Sequence, residues 1–245
     1  MQALKIASKT DIGMIRNSNQ DSYAAGELSD GTVWAVVCDG MGGANGGNIA
    51  SANAVKIISE YISSSYHDRM SSNSIKTLLQ SSICGANVRL FDMSRTIESL
   101  KGMGTTVVAV IISDGVAHIA HAGDSRAYIL RNSKLLQITK DHSMVQSMLD
   151  KGQITKEEAE KHPNKNLITR ALGVADDIEI EYNEIEFQQD DCMLICTDGL
   201  TNFVEIEDVE KIMADHNFYE YPQELIDAAN NGGGGDNITI VLLSN

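Results

Sequence analysis

Aspartate stands beside glycine at the end of an apolar, β-prone run at four separate places in this chain: Asp39-Gly40, Gly123-Asp124, Asp198-Gly199 and Gly235-Asp236. Strand ends are held firmly by a core, and glycine lets backbone or an ion come close. Carboxylate oxygens are the ligands that magnesium and manganese prefer. A single Asp-Gly is also the commonest hairpin turn. Four of them, each ending a different strand, point to one acidic sheet edge where mutual repulsion calls for a hard divalent cation.

Charge narrows the partners. The net charge is −15, and Lys and Arg form no cluster, so phosphate backbones and anionic lipid surfaces are poor partners. No nucleic acid and no membrane is expected. The amino terminus, MQALKIASKTDIG, has no sustained apolar core or cleavage-type segment, and no run approaches the ~18 apolar residues of a membrane span. A cytoplasmic protein is expected. With 245 residues, 2 prolines and no Ser/Gly/Pro-rich linker, residues 1–245 read as one domain. Cys38, Cys84, Cys192 and Cys196 form no disulfide framework, and Cys192 and Cys196 share one face of a strand with Leu194 as buried thiols. No further Cys or His stands at zinc-ligand spacing.

Periodicity gives strands near 4–10, 22–27, 33–38, 105–112, 116–122, 126–131, 134–138, 178–186, 192–197 and 238–243. The closely spaced group from 105 to 138 reads as an antiparallel meander. Helical spacing recurs over 49–62, 74–93, 143–162, 205–214 and 222–230. Strand runs and helix runs are segregated, which favours a layered α+β fold with antiparallel sheets over a doubly wound one.

In order along the chain stand Arg16-Asn-Ser-Asn-Gln-Asp21, Asp39-Gly-Met-Gly-Gly43, Gly104-Thr-Thr106 and Ala120-His-Ala-Gly-Asp-Ser-Arg126. These are followed by Asp141-His-Ser143, Ile168-Thr-Arg-Ala-Leu-Gly173, Thr197-Asp-Gly-Leu200 and Gly235-Asp-Asn-Ile-Thr239. Together they resemble the motifs of the metal-dependent serine/threonine protein phosphatases of type 2C, in their compact bacterial form. The resemblance implies a four-layer α-β-β-α sandwich, two antiparallel β-sheets flanked by helices, with two Mn2+ or Mg2+ ions in the cleft between the sheets. By motif position Asp39 bridges both ions, Gly40 offers its carbonyl to one, and Asp198 and Asp236 hold the other. Asp21 reaches a metal, often through water. Asp124 with Asp198 matches a third, weaker metal position.

The implied substrates are phosphorylated proteins, and the implied counterpart is a bacterial serine/threonine kinase. Two cations ~3.5 to 4 Å apart can share a water, lower its pKa and supply a nucleophile for in-line attack on phosphorus. No protein nucleophile is then needed. Arg16 is the candidate guanidinium fork for the phosphoryl oxygens that the metals do not face. A monomer is expected.

Met41 stands where many eukaryotic relatives carry a histidine thought to protonate the departing oxygen, and Ala44 and Asn48 replace the usual His and Glu. The segment 143–166 matches the family's flap, in which His162 could touch substrate or a metal water. His67 and His216 are expected on exposed helices, and His118 and His121 in a strand. His142 is expected to order the cleft. Arg126 and Arg170 are expected to buttress carboxylates. The stretch Gly40 to Gly47 lacks the Gly-Lys-Ser/Thr ending and the Gly-x-Gly-x-x-Gly spacing of nucleotide loops, so its glycines are assigned to close metal approach. Two other readings exist: a phosphoprotein-binding module that has lost turnover, and a hydrolase of small phosphomonoesters. The joint presence of Asp39, Asp198 and Asp236 disfavours the first, because an idle site would shed carboxylates that repel one another. The second lacks a phosphate-cradling loop suited to a small ligand.

Overall fold

A computed structural model describes residues 4–214 and 217–244, the side chains of residues 43–45 excepted. Two antiparallel sheets lie face to face. One is ordered β1 (Lys5–Asp11), β11 (Ile238–Ser244), β10 (Cys192–Cys196), β7 (Arg126–Arg131), β8 (Lys134–Gln137). The other is ordered β2 (Asp21–Glu27), β3 (Val33–Met41), β5 (Val107–Ser113), β6 (Val116–Ala122), β9 (Glu181–Glu186), with the two-residue β4 (Gly104–Thr105) paired to the end of β3.

The strands are apolar on both sides because both sides are covered. On β3, Val33, Ala35 and Val37 point between the sheets, where they join Val108 and Val110 of β5 and Ile129, Ile195 and Val241 from the facing sheet. The alternate residues Trp34, Val36 and Cys38 pack with Ile58, Ile62, Leu79 and Ile83 of α1 (Gly43–Ser65) and α2 (Ser72–Thr96). On the opposite flank, Cys192, Leu194 and Cys196 share a face with Ile240 and Leu242. That face packs against α5 (Asp198–Thr201), α6 (Ile206–Ala214) and α7 (Tyr221–Asn231). The result is the expected α-β-β-α sandwich, with three apolar layers separating its four structural ones.

Some local expectations fail, for identifiable reasons. The run from 105 to 138 is not a meander: β6 pairs with β5 and β9, whereas β7 pairs with β8 and β10, so the chain changes sheets at residues 123–125. Alternation identifies strand residues but not their partners. The helical stretch 143–162 is two short helices, α3 (Met144–Asp150) and α4 (Lys156–Glu160). Gly152, at φ 64°, ends the first, and Thr155 starts the second through a reciprocal capping box with Glu158. Helix α1 begins at Gly43, inside the glycine-rich stretch, and α5 is a turn of helix that periodicity did not reveal. His67 is exposed but follows the end of α1, and His216 and the Ala44 side chain lie outside the described residues. No helix among the described residues is long and apolar enough to cross a membrane.

Ile129 is fully buried between the sheets, so Ile129→Ala is expected to lower unfolding free energy in urea by about 2–5 kcal/mol. Leu136→Ala, on the exposed edge strand β8, is expected to change it by less than about 0.5 kcal/mol. Equal losses at the two positions would contradict this placement of the core.

Candidate active site

Strand register brings the first two carboxylates together. Asp21 at the start of β2 is directly opposite Asp39 near the end of β3. Asp198 follows β10 and opens α5, Asp236 lies two residues before β11, and Asp124 sits in the turn that leaves β6. Asp39, Asp124, Asp198 and Asp236, with Gly40 and Arg16, line one cavity of about 450 Å3. Asp21 lies behind it, buried.

The supporting bonds come from neutral groups. Asp21 Oδ2 accepts from the hydroxyls of Thr197 (2.9 Å) and Thr239 (2.7 Å), one beside Asp198 and the other at the start of β11. Thr106 fixes Asp39 from behind: its Oγ1 accepts from Asp39 N at 2.9 Å and its own N–H donates to Asp39 O at 2.9 Å. The sequence placed Gly104-Thr-Thr106, Thr197 and Thr239 inside motifs but assigned them no role. Only Thr197 carries a local signal, standing directly before Asp198, whereas Thr106 and Thr239 meet their aspartates through the fold.

The glycines serve packing here. A Cβ on Gly40 would meet Gly47 O at 2.1 Å, and one on Gly47 would meet Gly40 O at 2.6 Å, so the first turn of α1 rests backbone to backbone on the end of β3. Likewise a Cβ on Gly199 would fall 1.9 Å from Asn237 O, which keeps the Asp198 and Asp236 segments in contact.

Gathering carboxylates in a poorly solvated place makes their charge expensive. Burial first, and then the repulsion of Asp21, Asp198, Asp124 and Asp236, lifts the Asp39 carboxyl well above its usual range. Burial likewise raises Asp21 and Asp124 to about 7 and Asp198 to about 6, with neighbouring aspartates adding to each shift. Among the described residues, Asp21 Oδ1 and Asp198 Oδ1 are buried without a hydrogen-bond partner. An all-oxygen donor set with unspent lone pairs and excess negative charge fits hard divalent cations.

Arg16 reaches the cavity from the loop after β1. Its Nη2 donates to Asp236 Oδ2 at 2.7 Å and its Nε to Gly235 O at 3.3 Å, while its side chain remains half exposed. His162 is not part of the cavity wall; its Nδ1 accepts from Asn164 N in its own turn, and Asn166 and Ile168 line the cavity instead. Met41 is in that wall and offers no titratable group, and Asn48 is exposed.

His142 orders the turn that carries Asp124. Its backbone N–H donates to Gly123 O (2.9 Å), and its Nδ1 accepts from Gly123 N (3.2 Å). His118 and His121 are buried in β6, and the His142 ring stacks on His121 at 4.7 Å. With Glu181, these two rings place three donor atoms near one another. Arg170 Nη1, however, lies 2.9 Å from His142 Nε2, so a guanidinium takes the place of a cation there. Arg170 also pairs with Glu179, and Arg126 grips Asp141 through two bonds of 2.9 and 2.7 Å. Neither partner is one of the five clustered aspartates.

An α-β-β-α sandwich whose cleft gathers acidic side chains from five chain segments, with an arginine at its edge, defines a class of metal-dependent phosphoester hydrolases. The model of the family described as Protein phosphatase 2C matches residues 16–228, and the chain belongs to that family. It is 39% identical to the serine/threonine phosphatase stp of Listeria monocytogenes, over 96% of this chain and 93% of that one. The S. agalactiae serine/threonine phosphatase structure superposes with a TM-score of 0.93 at 34% identity, covering 98% of this chain and 99% of that chain. The catalytic domain of the serine/threonine protein phosphatase PstP, solved with 2 manganese ions, gives 0.87 at 32% identity, with 98% and 97% covered.

The carboxylate shifts set a pH dependence. A carboxyl with a raised folded pKa contributes stability in its protonated form, which is lost as pH rises from the ordinary value of 3.8 through about 7. His118, His121 and His142 are lowered from 6.5, mainly by burial, and oppose this trend only below pH 6.5. Chelator-treated protein is therefore expected to lose thermal stability between about pH 6.5 and 8, and millimolar Mn2+ to raise Tm most at the upper end. Asp39→Asn should raise the metal-free Tm at pH 8 and remove most of the Mn2+ gain. A flat Tm across this range, with no Mn2+ effect, would contradict a repulsive cation site.

Proposed function

We propose that this chain is a Mn2+/Mg2+-dependent protein serine/threonine phosphatase that hydrolyses phosphoserine and phosphothreonine. The observation that carries the reading is the convergence of Asp39, Asp124, Asp198 and Asp236 on one cavity, with Asp21 behind them and Arg16 at the edge. Asp39, Gly40, Asp198 and Asp236 are the residues that would hold two cations, with Asp21 supporting them and Asp124 with Asp198 available to a third. When bound, such cations supply a water of lowered pKa and neutralise charge on the phosphoryl oxygens.

The chain's own groups do the rest. Thr197 and Thr239 keep Asp21 oriented, and Thr106 fixes the backbone of Asp39. Arg16, held against Asp236 when no substrate is bound, has the planar donor fork suited to a phosphoryl group entering beside it. The segment 143–166 acts as a flap, contributing contacts from its carboxyl-terminal base, where Asn166 and Ile168 meet the cavity. We take residues 1–245 to work as a single catalytic domain and as a monomer. Its substrates are phosphorylated proteins, which requires a serine/threonine kinase as the opposing activity, and we place the pair in the cytoplasm.

Phosphate release from a phosphothreonine peptide is expected with Mn2+, to stop with excess chelator and to return when metal is restored. Activity undiminished by chelator would reject the metal-dependent reading. Asp39→Asn and Asp236→Asn should each lower kcat by orders of magnitude, whereas Arg16→Ala should chiefly raise KM. Unchanged kcat and KM in Arg16→Ala would remove that residue from phosphate binding.

A further inference from the structure

Eleven large apolar side chains are exposed among the described residues, and six of them fall in segments bordering the cavity. The other five, such as Val88 and Leu136, are scattered over remote elements, as single exposed apolar residues normally are. The six form three groups. Ile12, Met14 and Ile15 occupy the part of the β1–β2 loop that precedes Arg16, Met14 and Ile15 each being 68% exposed. The Met14 side chain packs on Gly234, whose neighbour Gly235 accepts the Arg16 Nε bond, so this group stands at the Arg16 side of the cavity.

Met144 and Leu167 form the second group, at the base of the flap. The Met144 N–H donates to Leu167 O at 2.9 Å, and Leu167 is followed by Ile168 in the cavity wall. Val174 is the third. A Cβ placed on Gly104 would lie 3.0 Å from Val174 and 2.8 Å from Met41, so exposed Val174 and cavity-lining Met41 flank the same glycine. Apolar residues thus stand in the cavity wall, at Met41 and Ile168, and on the rim next to it, at Val174 and Leu167.

We infer that this rim binds the residues flanking the phosphorylated serine or threonine, and that it selects phosphoprotein segments with apolar side chains at those positions. The inference rests on the phosphatase reading above. A phosphorylated side chain that reaches the cavity floor brings its own backbone to the mouth. Extended chain advances only ~3.4 Å per residue, so its immediate neighbours must meet whatever surrounds that mouth. Large apolar groups there gain by burial against apolar partners, whereas a charged flank laid against them would lose hydration. The chain's net charge of −15 further disfavours acidic flanks.

The test compares three phosphothreonine peptides of equal length, flanked by Leu, Ala or Asp, with p-nitrophenyl phosphate as a substrate that has no flanks. The wild-type chain in Mn2+ is expected to show kcat/KM about tenfold higher for Leu than for Ala flanks, and lowest for Asp flanks. Met14→Ser combined with Ile15→Ser, and separately Leu167→Ser, should each reduce the Leu preference several-fold while p-nitrophenyl phosphate turnover stays within about twofold, which also reports an intact fold. Equal rates for the three peptides, or a preference that survives all these substitutions, would overturn the inference and leave the phosphatase reading standing. Rim variants that keep the preference but dissociate a wild-type dimer in sedimentation would assign the surface to self-association and overturn it as well. Absence of Mn2+-dependent release from every substrate would instead bring down the phosphatase reading, and this inference with it.

Discussion

Asp21 and Asp39 face each other across the β2–β3 ladder at the edge of a cleft that three further aspartates also approach. At an effective dielectric of about 20, two like charges about 4 Å apart repel by about 4 kcal/mol, and burial adds the loss of hydration to each. The raised pKa values of Asp21, Asp39, Asp124 and Asp198 are the signature of that opposition. Among the described residues, only Asp236 of the cluster is paired with a cation, by Arg16 at 2.7 Å. Asp21 is held by two threonine hydroxyls, and Arg16 supplies the only Lys or Arg side chain among the cavity-lining residues. Hydroxyl donors orient a carboxylate without cancelling its charge, so one guanidinium faces five carboxylates and excess negative potential remains directed into the cleft.

Holding such a cluster together requires a scaffold whose stability comes from elsewhere. The three apolar layers supply it, because β3, β10 and β11 are each buried on both faces and their ends have little freedom to move apart. Backbone contact does the finer work. Gly40 against Gly47 seats α1 on the end of β3, and Gly199 against Asn237 locks the start of α5 to the segment that carries Asp236. A side chain at any of these positions would wedge apart two acidic segments that the core is built to hold together.

The acidic centre was legible because it lies where two strong local signals coincide: a β-prone apolar run that stops, and an aspartate beside a glycine at the stop. The four layers were legible for a related reason, since continuous apolar runs in antiparallel strands imply cover on both faces. Pairing was not. Residues 105–138 contain strands in the expected places, yet the Gly123 turn passes the chain from one sheet to the other, and that choice depends on partners, β9 and β10, found more than fifty residues later. The two threonines that hold Asp21 were hidden because Thr239 has a sufficient explanation in β-propensity and Thr197 in its place at the start of a helix. The same limit applied to His162, whose place in the flap motif said nothing of which way its ring would turn.

Asn237 joins the acidic centre to the loop that carries Arg16. Its Nδ2 donates to the carbonyls of Ile12 (2.9 Å) and Ser18 (3.0 Å), and its Oδ1 accepts from Gln20 N at 2.8 Å. One amide side chain therefore spans the loop between β1 and β2 at both ends, from the residue directly after Asp236. The loop's own Met14 and Ile15 are largely exposed, Met14 resting against Gly234. Its shape is borrowed from the strand end that positions Asp236, so the arginine fork and the apolar rim beside it keep their register with the acidic centre. A loop stabilised by its own buried residues would have had to spend those side chains inward. Tying it through Asn237 leaves them outward, where the proposed phosphorylated segment would meet them.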